Sequence, residues 1–179
     1  MTDATGAENR VEITLNARTA WRAVVTLLRL FLGAWMVNSG YSYWAQHFGL
    51  PPAFPQPFGS LPASSQMLVT MVSIGLFDFV KTIEIVGGLC LILGVFVPAA
   101  TLLLLPVSAM VFYNAVFLNL RTDRLFDPTY MGVSCLYINV IVALAYVRYY
   151  VPMLSLRSVP GGLRDLALLG NVAARPDAL

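Results

Sequence analysis

The stretch "MLVTMVSIGLFDFVKTIEIVGGLCLILGVF", residues 67–96, decides the fold class. Nearly every position is apolar, with no strand-like alternation, yet Asp78, Lys81 and Glu84 recur through it at three-residue spacing. Lys81 is the only lysine of the chain, and Glu84 is one of three glutamates. A continuous apolar run of this length is long enough, as a helix rising 1.5 Å per residue, to cross about 30 Å of bilayer hydrocarbon. Only helices and closed barrels satisfy their backbone groups there, and barrel strands alternate.

The composition agrees with a membrane setting. The 179 residues are 58% hydrophobic and 11% charged, against about 45–50% and 25% for soluble domains. A mean hydropathy of +0.74 leaves more apolar surface than a soluble fold could hide. The net charge of +2, without a basic cluster interleaved with aromatics, is too small to argue for nucleic acid, and no nucleic-acid partner is expected. Three further apolar runs stand beside the first, at about 21–44, 98–118 and 131–151. The expectation is therefore an all-α, integral membrane four-helix bundle, multi-pass, forming a single domain over residues 1–179, with the bilayer as its first partner.

The connections support that layout. Residues 45–66 carry Pro51, Pro52, Pro55, Pro57 and Pro62 and no Asp, Glu, Lys or Arg, so an extended or turned loop is expected, lying on the membrane surface through its aromatics. Pro98 suits the first turn of the third span, and Pro106 is expected to kink it. Residues 119–130 read as a short polar loop, and 153–179 as a weakly ordered tail. Arg10, Arg18 and Arg22 lie before or at the start of the first span, and Arg148, Arg157, Arg164 and Arg175 lie at or beyond the end of the fourth. The opposite face has only Arg121 and Arg124, offset by Asp123 and Asp127. By the bias of Arg and Lys toward the cytoplasm, both termini are expected to be cytoplasmic. The start lacks the basic flank and short apolar core of a signal peptide.

Charged side chains inside a membrane helix are costly and usually face a bundle interior or a wet cavity. Arg29 and Glu84 come to similar depths, so they are expected to form an intramembrane ion pair. Asp78, one turn from Lys81, is placed to hold the ammonium. With Asn114, Asn38 and Tyr41 these residues outline a polar pocket running from mid-membrane outward. Tyr43, Asn139 and Tyr113 lie at neighbouring depths. The plainer reading is that such polar groups are interhelical glue, about 0.6 kcal/mol each on average. Gly87 and Gly88 read as helix-packing positions. His47, the only histidine, cannot supply bis-His ligation, and no metal-ligand cluster or phosphate-binding glycine loop is present. Cys90 and Cys135 fall at opposite ends of their helices, beyond the reach of a disulfide, and no C-x-x-C is present. The methionines read as packing residues. No residue stands out as catalytic.

"LLRLFLGAWMVNSGYSYW" (27–44) followed by "FDFVKTIEIVGGLCLILGVFVPAATLLLLPVSAMVFYNAVFL" (77–118) resembles the DoxX-like family of small four-helix membrane proteins. The resemblance rests on Arg29, Gly40, the Glu84-Ile85-Val86-Gly87-Gly88 run, Gly94, Phe96 and Pro98-Ala99-Ala100, within about residues 25–118. Where relatives often carry Phe-His, this chain reads Tyr113-Asn114. The resemblance implies a compact bundle in the bacterial cytoplasmic (inner) membrane. It also implies a role as an accessory protein or subunit of a redox or respiratory assembly, beside other membrane subunits, with a quinone or lipid pocket. A component acting directly on quinone, or a scaffold, chaperone or small-solute transporter, are the alternatives. No cofactor is marked by a motif; quinone is the one the resemblance suggests.

Overall fold

The computed structural model describes residues 17–54 and 61–154, and those residues form helices and turns with no strand among them. The helices are α1 (Ala17–His47), α2 (Pro62–Ser73), α3 (Leu76–Leu93), α4 (Val97–Tyr113) and α5 (Met131–Ala145). A π-helical turn, Asn114–Leu118, continues α4. The chain divides into two units, one through Val147 and one from Arg148. In the second, Arg148 stacks on the Tyr149 ring, 4.7 Å from its centroid. The remainder of the tail expected at 153–179, together with Arg10, Arg157, Arg164, Arg175, Pro55 and Pro57, lies outside the described residues.

The all-α expectation holds, with two corrections to the elements. The run at 67–96 is two helices rather than one. Gly75 takes φ +73, a conformation that L side chains adopt with difficulty. The Ile74 and Gly75 amides close back on Thr70 and Val72, which ends α2 and lets α3 start in a new direction. The fourth run stops at Ala145 instead of 151. The Tyr146 amide is shared between the Val142 and Ala143 carbonyls, the bifurcated bonding common where a helix ends. Pro98 sits in the first turn of α4, and the helix continues through Pro106.

Register follows from close contacts. Beside α1, residues of α3 run in reverse: Arg29 lies at Gly94, Gly33 at Gly88 and Gly40 at Lys81. On α4 and α5, Ala115 faces Gly132 and Ser108 faces Asn139. With the tight turn at Gly94–Phe96, the helices α1, α3, α4 and α5 alternate in direction. Gly88 explains how α1 and α3 come so close: a Cβ there would lie 2.8 Å from the Gly33 carbonyl oxygen. The same atom at Gly87 would meet the Leu104 side chain at 2.8 Å. Both glycines thus serve packing.

The main core joins Leu32 and Met36 of α1, Leu91 of α3, Leu104 of α4 and Val142 of α5. A second cluster, Met71, Val80 and Val107, seats α2 against α3 and α4. Much apolar surface remains outside: Leu27, Phe79, Leu93 and Leu144 are each more than 60% exposed. Two stretches, Arg18–His47 and Val97–Leu118, are long and apolar enough to cross a membrane. With three charged residues in 18, α3 falls short of that measure, and α5 does so at 15 residues.

Candidate functional site

Lys81 and Glu84 share one face of α3, one turn apart, and both are buried, at 5% and 2% exposure. The Lys81 ammonium donates to Glu84 Oε1 and Oε2 at 3.0 and 2.9 Å and to Ser39 Oγ of α1 at 2.9 Å. All three of its protons therefore have acceptors, which offsets the desolvation of a buried cation. The Phe77 ring lies 5.0 Å from the nitrogen, close enough for a cation–π contribution.

Asp78 does not hold Lys81. Its Oδ1 accepts the Tyr43 hydroxyl from α1, and Tyr43 is braced edge-on by Phe77, with centroids 5.1 Å apart. The expected Arg29–Glu84 pair is also absent. Arg29 packs at Gly94, its Nη1 3.0 Å from where a Cβ would stand, ten residues and so about 15 Å along the helix from Glu84. Glu84 has Lys81 within its own helix, whereas Arg29 lies beside the C-terminal end of α3, where a helix presents negative charge. Among the described residues its buried Nε has no hydrogen-bond partner.

Asn114 marks the change from α to π geometry. Its Oδ1 accepts from Ser64 Oγ of α2 at 2.9 Å and from Asn119 Nδ2 at 3.1 Å, while its own amide nitrogen donates to Met67 Sδ at 3.8 Å. The Asn119 side chain also caps the Asn114 carbonyl at 2.9 Å. This network ties α2 to the widened end of α4.

Lys81, Glu84, Ser39 and Asn114 line a common cavity of about 520 Å³. Arg121 and Tyr130 form part of its wall on the side of the loop after α4. Four of the seven methionines, Met36, Met67, Met110 and Met131, make up much of the rest. The segment after α1 turns back along the bundle. Phe54 stacks on Trp35, with centroids 5.6 Å apart and planes 13° from parallel, and both rings line the cavity. The Phe54 amide donates to Ser42 Oγ at 3.4 Å. This part of the loop therefore packs into the bundle instead of lying on a membrane surface, because a ring-on-ring contact with Trp35 is open to it.

Of the residues the sequence nominated, Lys81, Glu84 and Asn114 meet at this cavity. Arg29, Asn38, Tyr41 and Asp78 do not line it; Tyr41 is 47% exposed. Sequence reasoning missed Ser39, Trp35, Phe54 and Arg121 as lining residues. It also took the methionines as plain packing, although such flexible thioethers suit adaptable binding walls. Cys135 is a buried free thiol in the same wall. No protein-family model, curated protein or solved structure matches the chain.

Proposed function

We propose that the chain is a DoxX-like protein of the bacterial cytoplasmic membrane, crossing it four times with both termini inside, and that its bundle holds one membrane-soluble amphiphile, a quinone or a lipid. In this reading it serves as an accessory subunit of a redox or respiratory assembly. The observation that carries the binding role is the cavity itself: about 520 Å³, walled by methionines and aromatic rings, with the buried Lys81–Glu84 pair at its polar end. Ligand pockets typically combine such an apolar lining with a few fixed polar groups. The exposed leucines and phenylalanines of the helices support a lipid surround, since a soluble monomer rarely leaves large apolar patches in water.

The test is extraction and mass analysis of the protein purified in mild detergent. One species of quinone or lipid, retained at about one molecule per chain through exhaustive detergent washing, is the expected result. Extracts that mirror the bulk membrane lipids, with nothing retained after washing, would overturn the binding role. Co-isolation of a defined redox complex, lost when the cavity is altered by Trp35→Ala, is the expected sign of the accessory role.

A further inference from the structure

The charged groups in the cavity wall differ in how they are compensated. Lys81 and Glu84 neutralise each other, and the ammonium has no proton left for a ligand. Arg121 is exposed, and among the described residues no carboxylate lies within ion-pairing distance of it. The Tyr130 ring lies beside it, its centroid 5.9 Å from the guanidinium carbon. Arg124 stands over the same ring at 5.5 Å but has a counter-charge nearby. Asp127 accepts from the Thr129 hydroxyl and amide at 2.6 and 2.9 Å. Those bonds, with the field of Arg124, hold its carboxyl below the ordinary range. Asp123 is exposed in the same turn and makes no ion pair with either arginine. Arg121 is thus the uncompensated charge of the cavity wall.

Resting on the reading of the cavity as a ligand site, we infer that it takes an anionic amphiphile, its charged head at Arg121 and its apolar part along the methionine wall. Arginine suits that head because its planar fork gives paired, charge-assisted hydrogen bonds to phosphate or carboxylate. Tyr130 props the guanidinium from one side.

Two probes with a common chain, hexadecyl phosphate and hexadecanol, are titrated against the full-length protein in nanodiscs of zwitterionic lipid. The expected result is saturable binding of one molecule per chain, with the phosphate roughly tenfold tighter at low salt and the difference shrinking as salt is added. Arg121→Gln, at an exposed position, should bring the two probes within about twofold. Arg124→Gln should keep most of the preference. Equal binding by the native chain, or a preference that survives Arg121→Gln, overturns the inference while leaving the cavity as a ligand site. Failure of both probes to bind saturably overturns the ligand site and the inference together.

Discussion

Lys81 and Glu84 form a buried ion pair within one helix, the ammonium 3.0 and 2.9 Å from the two carboxylate oxygens. Two charges leave water together here, so each is the main compensation for burying the other. Removing one leaves the survivor uncompensated, which in buried pairs costs about 3–5 kcal/mol, whereas replacing both by apolar residues of similar volume is often neutral or stabilising. Lys81→Met and Glu84→Met should each lower stability by that order, and the double variant should recover most of the loss. Unfolding in mixed detergent, measured for all four forms, checks this. Strict additivity of the two single losses would mean that the pair is not coupled.

Membrane orientation gives a second prediction. The register of α1 against α3 and of α4 against α5 puts the start of α1 and the turn at Thr122–Arg124 at opposite ends of the bundle. In a background lacking Cys90 and Cys135, Arg18→Cys and Thr122→Cys report on those two ends. An impermeant maleimide added to intact cells should label Thr122→Cys and leave Arg18→Cys untouched until the membrane is opened. The reverse pattern would invert the proposed topology, and labelling of both would remove the four-span arrangement.

How much of this was legible in the sequence depends on whether a feature is local. The span at 98–118 matches α4 and its π-turn because Pro98 and a continuous apolar run mark it without outside help. The break at Gly75 was not legible: the letter Gly does not say whether a residue turns the chain at positive φ, as Gly75 does, or lets helices touch, as Gly88 does. Lys81 stands out as the lone lysine in an apolar helix. Its partner does not, because Asp78 and Glu84 are equally spaced from it. The choice is made by another helix, where Tyr43 takes Asp78 and Ser39 adds to Lys81. Arg29 failed as a partner for the same reason, since depth counted along single helices says nothing of the contact at Gly94.

The loop after α4 should respond to acid. The Asp127 carboxylate is held charged chiefly by the Thr129 hydroxyl and amide, so its pKa lies below the ordinary value. The sign follows: a carboxyl depressed in the folded state contributes stability above its unfolded pKa, and that contribution is lost as pH falls through the depressed value. Exchange protection of the Thr129 amide should therefore be constant from neutral pH down to the ordinary carboxylate range and fall below it. Asp127→Asn keeps an acceptor oxygen but removes the charge, and should flatten that dependence. An unchanged profile in Asp127→Asn would assign the acid response to another group.

Phe54 gives the last prediction, because it is the element of the cavity wall least tied to the helices. Its ring is held by the stack on Trp35 and its amide by a long hydrogen bond to Ser42. Stacked aromatic pairs contribute about 0.5–1.5 kcal/mol beyond the area they bury, so Phe54→Ala should cost little more than the stack and the lost burial, and the bundle should remain folded. Access should change more than stability. Cys135 lies in the wall of the same cavity and is only 2% exposed, so its rate of reaction with a small neutral thiol reagent reports how open the cavity is. With Cys90→Ser removing the other thiol, Phe54→Ala should raise the Cys135 rate several-fold, roughly what loss of about 1 kcal/mol of closure gives. Phe54→Tyr, which keeps the stack, should not. If both variants react like the parent chain while remaining folded, Phe54 does not limit access to the cavity, and entry must occur elsewhere along its wall.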